Sequence, residues 1–299
     1  MEIEQLRADI YGKEVLAKCK SFKTCALWPN EQKIRPVAWL DNFDEQDKEI
    51  ASLLLDCFIY FKNDHTDALL MSAYHSIAHL DIDLKGQSLD QFVSNAVFTI
   101  VTGESPNPTD SGNFIIRKVR QLLNVPEANI VTVEVALQHA GKGGTVIFLD
   151  DFIGSGDQFI GTWERKYGQN AVSFADVFRQ IDFACVYVTL IACEQGIGKI
   201  NNLAPSVYIS PAHVLTVRSS VFGIKMRNIT QGQLNAFLEK YSYQLIPKEP
   251  YIARRLEFKK FGYHEIGALL AFEHSVPDAT LPIFWSPGLG NWIPLIERT

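Results

Sequence analysis

The chain has 299 residues, of which 47% are hydrophobic and 21% are charged, as in ordinary soluble globular proteins. Its formal net charge of −6 provides no overall field that attracts nucleic acid, so direct nucleic-acid binding is not indicated. No apolar run is long enough for a membrane span, the charged N-terminal segment does not resemble a secretory signal, and the cysteines form no CxxC pair, so we expect a reduced, cytoplasmic protein.

The first ninety residues are predicted to be helical. Apolar residues recur at helical spacing over 3–19, 44–61 and 67–78, and residues 88–94 are typical of a further short helix. His75 and His79 lie four residues apart, but no acidic third ligand stands at a fixed spacing. Partly buried histidines therefore explain them better than a metal site does. We expect residues 1–90 to form an N-terminal helical region.

From about residue 91 the pattern changes to alternating strands and helices. Predicted helices separate apolar runs that are typical of buried strands, and these runs cover residues 96–101, 130–135, 146–149 and 186–193. Such alternation predicts an α/β fold with a mainly parallel, Rossmann-like central sheet and helices on its faces. This domain is expected to span residues 91–299.

The segment 145–160, which reads TVIFLDDFIGSGDQFI, carries the strongest functional signal. Its strand ends in Asp150 and Asp151, and a small-residue loop then opens a helix; the loop consists of Gly154, Ser155, Gly156, Asp157 and Gln158. Ligands bind outside the C-terminal ends of such strands. Glycine N–H groups at a helix N-terminus suit a phosphate, and carboxylates suit ribose hydroxyls or hydrated Mg²⁺. Alternatively, Asp151 or Ser155 only caps the helix, although adjacent buried acids are costly without partners.

In register, these residues resemble the motif of type I phosphoribosyltransferases that binds 5-phosphoribosyl-1-pyrophosphate (PRPP). The resemblance implies a phosphoribosyltransferase-like fold in which Asp150 and Asp151 are the catalytic acids, hold the ribose 2′- and 3′-hydroxyls and bind Mg²⁺. It also implies that residues 154–158 hold the 5′-phosphate. The family usually ends this loop in Thr, whose hydroxyl reaches the phosphate, where this chain has Gln158. Ser155 is then the residue of the loop that can supply a hydroxyl to the phosphate.

A second loop is expected to face the same crevice. It follows the predicted strand 96–101 and ends in Asp110, Ser111 and Gly112, where the resemblance implies a pyrophosphate loop. Capping of the next helix by Asp110 or the preceding Thr explains these residues equally well. On that helix, Arg117 either neutralises pyrophosphate through its fork geometry or lies on a solvated face.

The C-terminal part is the least regular. Strands are predicted over 206–209, 214–217 and 266–272, and a helix over 230–241 begins with a T-x-x-Q capping box. The turn-rich tail resembles the closing hood of the PRTase-CE group of bacterial conflict and anti-phage systems, and WLDNF at 39–43 resembles its N-terminal region. This resemblance implies an effector that works with a partner protein, such as a retron reverse transcriptase or another sensor.

Three functions remain open. The first is an enzyme that binds PRPP or a nucleotide and acts at ribose C1 with Mg²⁺. The second is a catalytically inactive sensor of the same ligands, and the third is a structural interaction module, against which the acidic pair argues. Catalytic phosphoribosyltransferases usually have a long loop that closes over the substrate. Residues 138–144 are too few for such a loop. Residues 102–112 are long enough, but they also have to form the pyrophosphate pocket, so binding is better supported than transfer.

Overall fold

The computed structural model of the protein describes residues 2–30, 32–82, 88–102, 111–169, 171–225 and 229–298. Within these ranges the strands are β1 Ile59–Phe61, β2 Val97–Ile100, β3 Val146–Ile153, β4 Cys185–Cys193, β5 Val207–Leu215 and β6 Leu270–Phe272. The α-helices are α1 Glu2–Thr24, α2 Pro36–Leu40, α3 Lys48–Cys57, α4 Asn63–Ser76, α5 Leu89–Ser94, α6 Gly112–Leu123, α7 Val133–Ala140, α8 Asp157–Glu164, α9 Phe174–Phe178, α10 Glu194–Leu203, α11 Gln231–Ser242, α12 Pro250–Ala253, α13 Leu256–Phe261 and α14 Pro282–Trp285. None of these helices combines the length and the hydrophobicity needed to cross a bilayer.

The chain folds into two compact units. One consists of Met1–Asn63 and Thr216–Thr299, and the other of Asp64–Leu215. This division differs from the predicted one, in which the helical region extends to residue 90. Elements from the two ends of the chain share one hydrophobic core in the first unit, because apolar faces that are far apart in sequence bury each other.

The unit of residues 64–215 is built on a four-stranded parallel sheet with the order β2-β3-β4-β5. This sheet confirms the predicted α/β class. The strands begin level with one another, since Val97 pairs with Val146, and Cys185 pairs with both Val146 and Val207. Strands β3 and β4 are buried at every position, as expected for a parallel sheet that is covered on both faces.

Helices cover both faces of this sheet. On one face, α7, α8 and α9 join a cluster that contains Phe148 of β3 and Tyr187 of β4. Side chains alternate along a strand, so Leu149 faces the other way, where the first residue of α6, Gly112, lies close to Ile100 and Leu149. On β5, the Ser210 hydroxyl donates to a carbonyl of α4 at 2.7 Å.

The predicted strand at 130–135 is wrong. Ile130 makes only an isolated bridge to Phe98, and α7 begins at Val133 after the N-cap residue Thr132. The β-branched residues of this segment favour a strand by composition. Its buried positions nevertheless follow helical spacing, and they are Val133, Ala136, Leu137 and Ala140.

Three other predicted boundaries also change. The strands expected at 206–209 and 214–217 are one strand, β5, which includes Pro211; proline is tolerated because β5 is an edge strand. The helix expected over 44–61 ends at Cys57. The residues after it form β1, which pairs in parallel with β6, and β6 is shorter than the strand predicted over 266–272.

The unit formed by the two ends of the chain has an aromatic core. Trp39 packs against Phe43 and Phe284 with ring centroids 4.8 and 5.3 Å apart, and its indole N–H donates to the Ile283 carbonyl at 2.8 Å. Trp285 of the tail is also buried. The WLDNF segment and the tail thus supply core residues of this unit.

Candidate functional site

The two acids of the motif lie near the C-terminal end of β3. The β2–β3 ladder ends with the pair Ile100 and Leu149, so Asp150 and Asp151 follow directly beyond it. Asp150 is 2% exposed and Asp151 is 5% exposed. Carboxyl groups at this depth require polar partners, and each has one from a neighbouring element.

Asp150 is held by Tyr187 of β4. The Tyr187 hydroxyl donates to Asp150 Oδ2 at 2.9 Å, and the backbone N–H of Asp151 donates to Asp150 Oδ1 at 3.0 Å. Burial, with a smaller contribution from Asp151, raises the pKa of Asp150 well above its ordinary range, while the hydrogen bonds from Tyr187 and the Asp151 backbone oppose this rise. Burial and the adjacent Asp150 likewise raise the pKa of Tyr187.

Asp151 is held by the start of α6. The Ser111 hydroxyl donates to Asp151 Oδ1 at 2.9 Å, and Ser111 immediately precedes that helix. Since consecutive strand residues point to opposite faces, Asp150 and Asp151 leave β3 in opposite directions. The next residue, Gly112, permits the close approach, because a Cβ there would stand 3.0 Å from the Ile100 Cβ.

The structure brings only some of the predicted pyrophosphate-loop residues to the acids. Ser111 and Gly112 lie beside them, as the topology predicts. Asp110 is outside the described residues. Arg117 is exposed, and its Nε donates to the Asn113 carbonyl of the same helix at 3.1 Å, so it does not lie with the acids.

The predicted phosphate loop packs against α10. Gly156 has φ of +82° at the N-cap of α8, a conformation that favours glycine. Gly196 of α10 lies so close to the loop that a Cβ there would stand 2.3 Å from the Gly154 carbonyl oxygen. Ser155 accepts a hydrogen bond from the Asp157 backbone N–H at 3.3 Å. The N-cap residue of α8 is Gly156, which has no side-chain cap, so Ser155 is not the cap weighed as the alternative.

The end of the loop is more open. Asp157 forms an ion pair with Lys199 of α10, which places a cation beside the loop. Gln158, at the position where the type I motif usually has Thr, is exposed. The N-terminus of α8 begins here, and its first backbone N–H groups have no partner within the helix by the geometry of any α-helix.

The end of β2 is fastened to α8 by two threonines. The Thr162 hydroxyl lies 2.9 Å from the Thr102 carbonyl oxygen, and the Thr102 backbone N–H points to the Thr162 hydroxyl at 3.2 Å. Arg165, directly after α8, donates from Nη1 to Thr102 Oγ1 at 2.9 Å. Because the Val101 N–H donates to the Leu149 carbonyl, Thr102 lies beside the two acids.

Residues 138–144 are not placed to close the site. They contain the end of α7 and the turn that enters β3 at Val146. Parallel strands put all their N-terminal ends at one edge of the sheet, so this turn lies at the opposite edge from the acids. The length of residues 138–144 therefore does not decide whether the site can close. Residues 103–110, between β2 and α6 in the sequence, are outside the described ranges.

Comparison with known proteins identifies the family. The PRTase-CE family model matches residues 36–298, which is most of the chain. The chain belongs to the PRTase-CE family. The matched range includes the two segments that resemble PRTase-CE, WLDNF and the tail, and also the motif strand with its loop.

Two further comparisons give no information about the chain beyond its family. No curated protein matches this PRTase-CE chain. Among solved structures it is similar to the AQ2163 protein from Aquifex aeolicus, with 14% identity and a TM-score of 0.32, over 60% of this chain and 80% of that chain. Similarity at that level carries no argument about function.

In this PRTase-CE protein, groups of three kinds meet at one sheet edge. Asp150 and Asp151 provide carboxylate acceptors, and Ser111 provides a hydroxyl next to them. The glycine-containing loop and the α8 N-terminus provide backbone N–H groups with partial positive charge. This combination is chemically suited to a ligand that has both hydroxyl groups and a phosphate.

Proposed function

We propose that this protein binds a 5-phosphorylated ribose compound, PRPP or a nucleotide, and acts at ribose C1 with Mg²⁺. In this proposal Asp150 and Asp151 accept hydrogen bonds from the ribose hydroxyls, and residues 154–158 hold the 5′-phosphate at the N-terminus of α8. The depth of the acids is the observation that supports it. A buried carboxyl group with a strongly raised pKa destabilises a fold, and such groups cluster at functional sites.

The same residues suit chemistry at C1. Cleavage of the C1 bond leaves positive charge on the ribose ring, and fixed carboxylates nearby stabilise that charge. Their effect is larger in a buried site than in water, because the effective dielectric constant is lower. Asp151 thus acts through orientation and charge, and Asp150 acts through orientation, since its raised pKa favours the protonated carboxyl group. No nucleophilic side chain of the protein is required.

The residues suit a Mg²⁺ ion that is held largely by the ligand. Protein Mg²⁺ sites often use one or two carboxylates together with substrate phosphates and water. Asp150 and Asp151 leave β3 in opposite directions, and across the described part of the chain no group of three His, Cys, Asp or Glu side chains forms a metal-binding cluster. We assign Asp151 as the carboxylate that would hold the ion. When bound, the Mg²⁺ ion would neutralise the charge of a departing pyrophosphate.

The binding proposal is tested by titration calorimetry with Mg²⁺–PRPP on the double variant Asp150→Asn with Asp151→Asn. Binding should be lost while the circular dichroism spectrum stays unchanged, since both substitutions preserve side-chain size. Asp182→Asn is the matched control, because Asp182 is exposed and lies before the N-terminal end of β4, at the other edge of the sheet. Wild-type affinity in the double variant would refute the proposal.

A catalytically inactive sensor is the second candidate function. Gln158 stands in place of the usual Thr, and both carboxyl oxygens of Asp150 already accept hydrogen bonds. Incubation with Mg²⁺ and nucleotides or PRPP separates the two candidates, since only an enzyme releases pyrophosphate or free base.

An anti-phage role beside a partner protein, such as a retron reverse transcriptase, is a further part of the proposal that rests on the family resemblance. Loss of phage resistance in the double variant would support it.

A further inference from the structure

The cations of α6 do not serve the acidic site. Lys118 pairs with Asp67 of α4 at 2.5 Å, and Arg120 lies 3.8 Å from Glu127. Arg117 is exposed and bonded within its own helix. These three cations of α6 are therefore engaged away from the acids.

Arg165 lies at the required edge of the sheet. Its guanidinium donates to the hydroxyl of Thr102, which follows β2 and lies beside the acids of β3. Arg165 is half-buried and Thr102 is buried. Nothing in the sequence indicates this placement, since the two residues are 63 positions apart.

We propose that Arg165 binds the diphosphate or polyphosphate group at ribose C1 and thereby selects ligands that carry one. This inference rests on the proposed function and adds a specificity-determining residue to it. Arg is suited to this role because its planar guanidinium presents several N–H donors in a fixed fork that matches phosphate oxygens.

The two ends of the site support this assignment. The 5′-phosphate loop packs against Gly196 of α10, which directly follows β4. Arg165 contacts the end of β2, on the other side of β3. In this proposal a ribose held at Asp150 and Asp151 lies between the loop, beside which Lys199 pairs with Asp157, and Arg165.

The local packing also fixes the position of Arg165. Thr162, one turn earlier, lies within hydrogen-bond distance of the Thr102 carbonyl oxygen and backbone N–H. These contacts join the end of α8 to the end of β2, so the guanidinium needs little reordering when it meets an anion. A preorganised cation loses less entropy on binding than a mobile surface side chain does.

Calorimetry on the full chain with two ligands tests the inference. Mg²⁺–PRPP carries both anionic ends, whereas ribose 5-phosphate carries only the 5′-phosphate. Arg165→Gln should weaken PRPP binding by about 10- to 100-fold, the usual effect of losing charge-assisted hydrogen bonds. The affinity for ribose 5-phosphate should change by less than about 2-fold.

Two further variants sharpen the result. Arg165→Lys keeps the charge and loses the fork, so its PRPP affinity should lie between those of the wild type and Arg165→Gln. Arg179→Gln is the matched control, because Arg179 is an exposed arginine just after α9 that pairs with Asp176, and it should bind both ligands as the wild type does.

The calorimetry results distinguish failure of this inference from failure of the proposed function. Unchanged PRPP affinity in Arg165→Gln would overturn the inference, and so would an equal loss for both ligands, which would indicate a general role in the fold. A wild-type protein that binds neither ligand would instead remove the proposed function, and with it this inference. Should Arg165→Gln fail to fold, full PRPP affinity in a folded Arg165→Lys would still contradict the role of the fork, and weakened PRPP affinity alone would support it.

Discussion

Replacing Asp150 with Asn is expected to stabilise the folded protein at neutral pH while removing ligand binding. Burial and the adjacent Asp151 raise the pKa of Asp150 well above its ordinary range. Between the unfolded pKa of about 3.9 and the raised folded pKa, the folded state keeps a proton that the unfolded chain has released. The free energy of unfolding of the wild type therefore falls as the pH rises through this window. Asn does not titrate, so the variant lacks this fall.

The size of the pH dependence follows from the difference of one bound proton between the folded and the unfolded state. The free energy of unfolding changes by about 1.4 kcal/mol per pH unit inside the window. For a domain with the size of residues 64–215, 1 kcal/mol corresponds to about 2–4 °C in Tm. The variant should thus gain about 3–6 °C on the wild type per pH unit, until the pH reaches the folded pKa. Local hydrogen bonds survive, because an amide accepts from the Asp151 N–H and donates to the Tyr187 oxygen.

Thermal unfolding followed from pH 4 to 8 measures this gap directly. The exposed Asp182→Asn variant serves again as the control. A gap that does not depend on pH, or a lower Tm for Asp150→Asn at pH 7, would refute the view that Asp150 is an unfavourably buried acid. The pH at which the gap levels off gives the folded pKa.

Three further substitutions probe the residues that hold the site in place. Gly196→Ala brings a Cβ to 2.3 Å from the Gly154 carbonyl oxygen, so urea denaturation should show a loss of about 1–3 kcal/mol. Gly198→Ala in the same helix meets nothing within 4 Å and should gain up to about 1 kcal/mol; equal effects would contradict the close packing. Tyr187→Phe removes the donor to Asp150, so the affinity for Mg²⁺–PRPP should fall about 10-fold with an unchanged circular dichroism spectrum. Wild-type affinity would mean that Tyr187 does not orient the acid.

The sheet and the position of the motif are predictable from local patterns. A continuous apolar run that ends in two acids and glycines has few interpretations other than a buried parallel strand, and β3 has that form. The capping box at Thr230 also forms as predicted. The segment 130–135 fails because β-branched residues favour a strand locally, while burial of one helical face decides the outcome.

The partners of the acids could not be predicted in the same way. Tyr187 lies in an apolar strand 37 positions from Asp150, and only the β3–β4 pairing puts it on the same face. Thr102 and Arg165 meet because α8 packs on the end of β2, which no periodicity encodes. The division into two units escapes prediction for the same reason, since apolar residues do not reveal which distant segment will bury them.

The central claim is that a ribose 5-phosphate group sits at the C-terminal end of β3. A crystal structure with bound Mg²⁺–PRPP tests it most directly. We predict ribose hydroxyls within hydrogen-bond distance of Asp150 and Asp151, with the 5′-phosphate at the backbone N–H groups of residues 154–158. A ligand bound elsewhere, or one whose hydroxyls do not reach these carboxylates, would contradict the account.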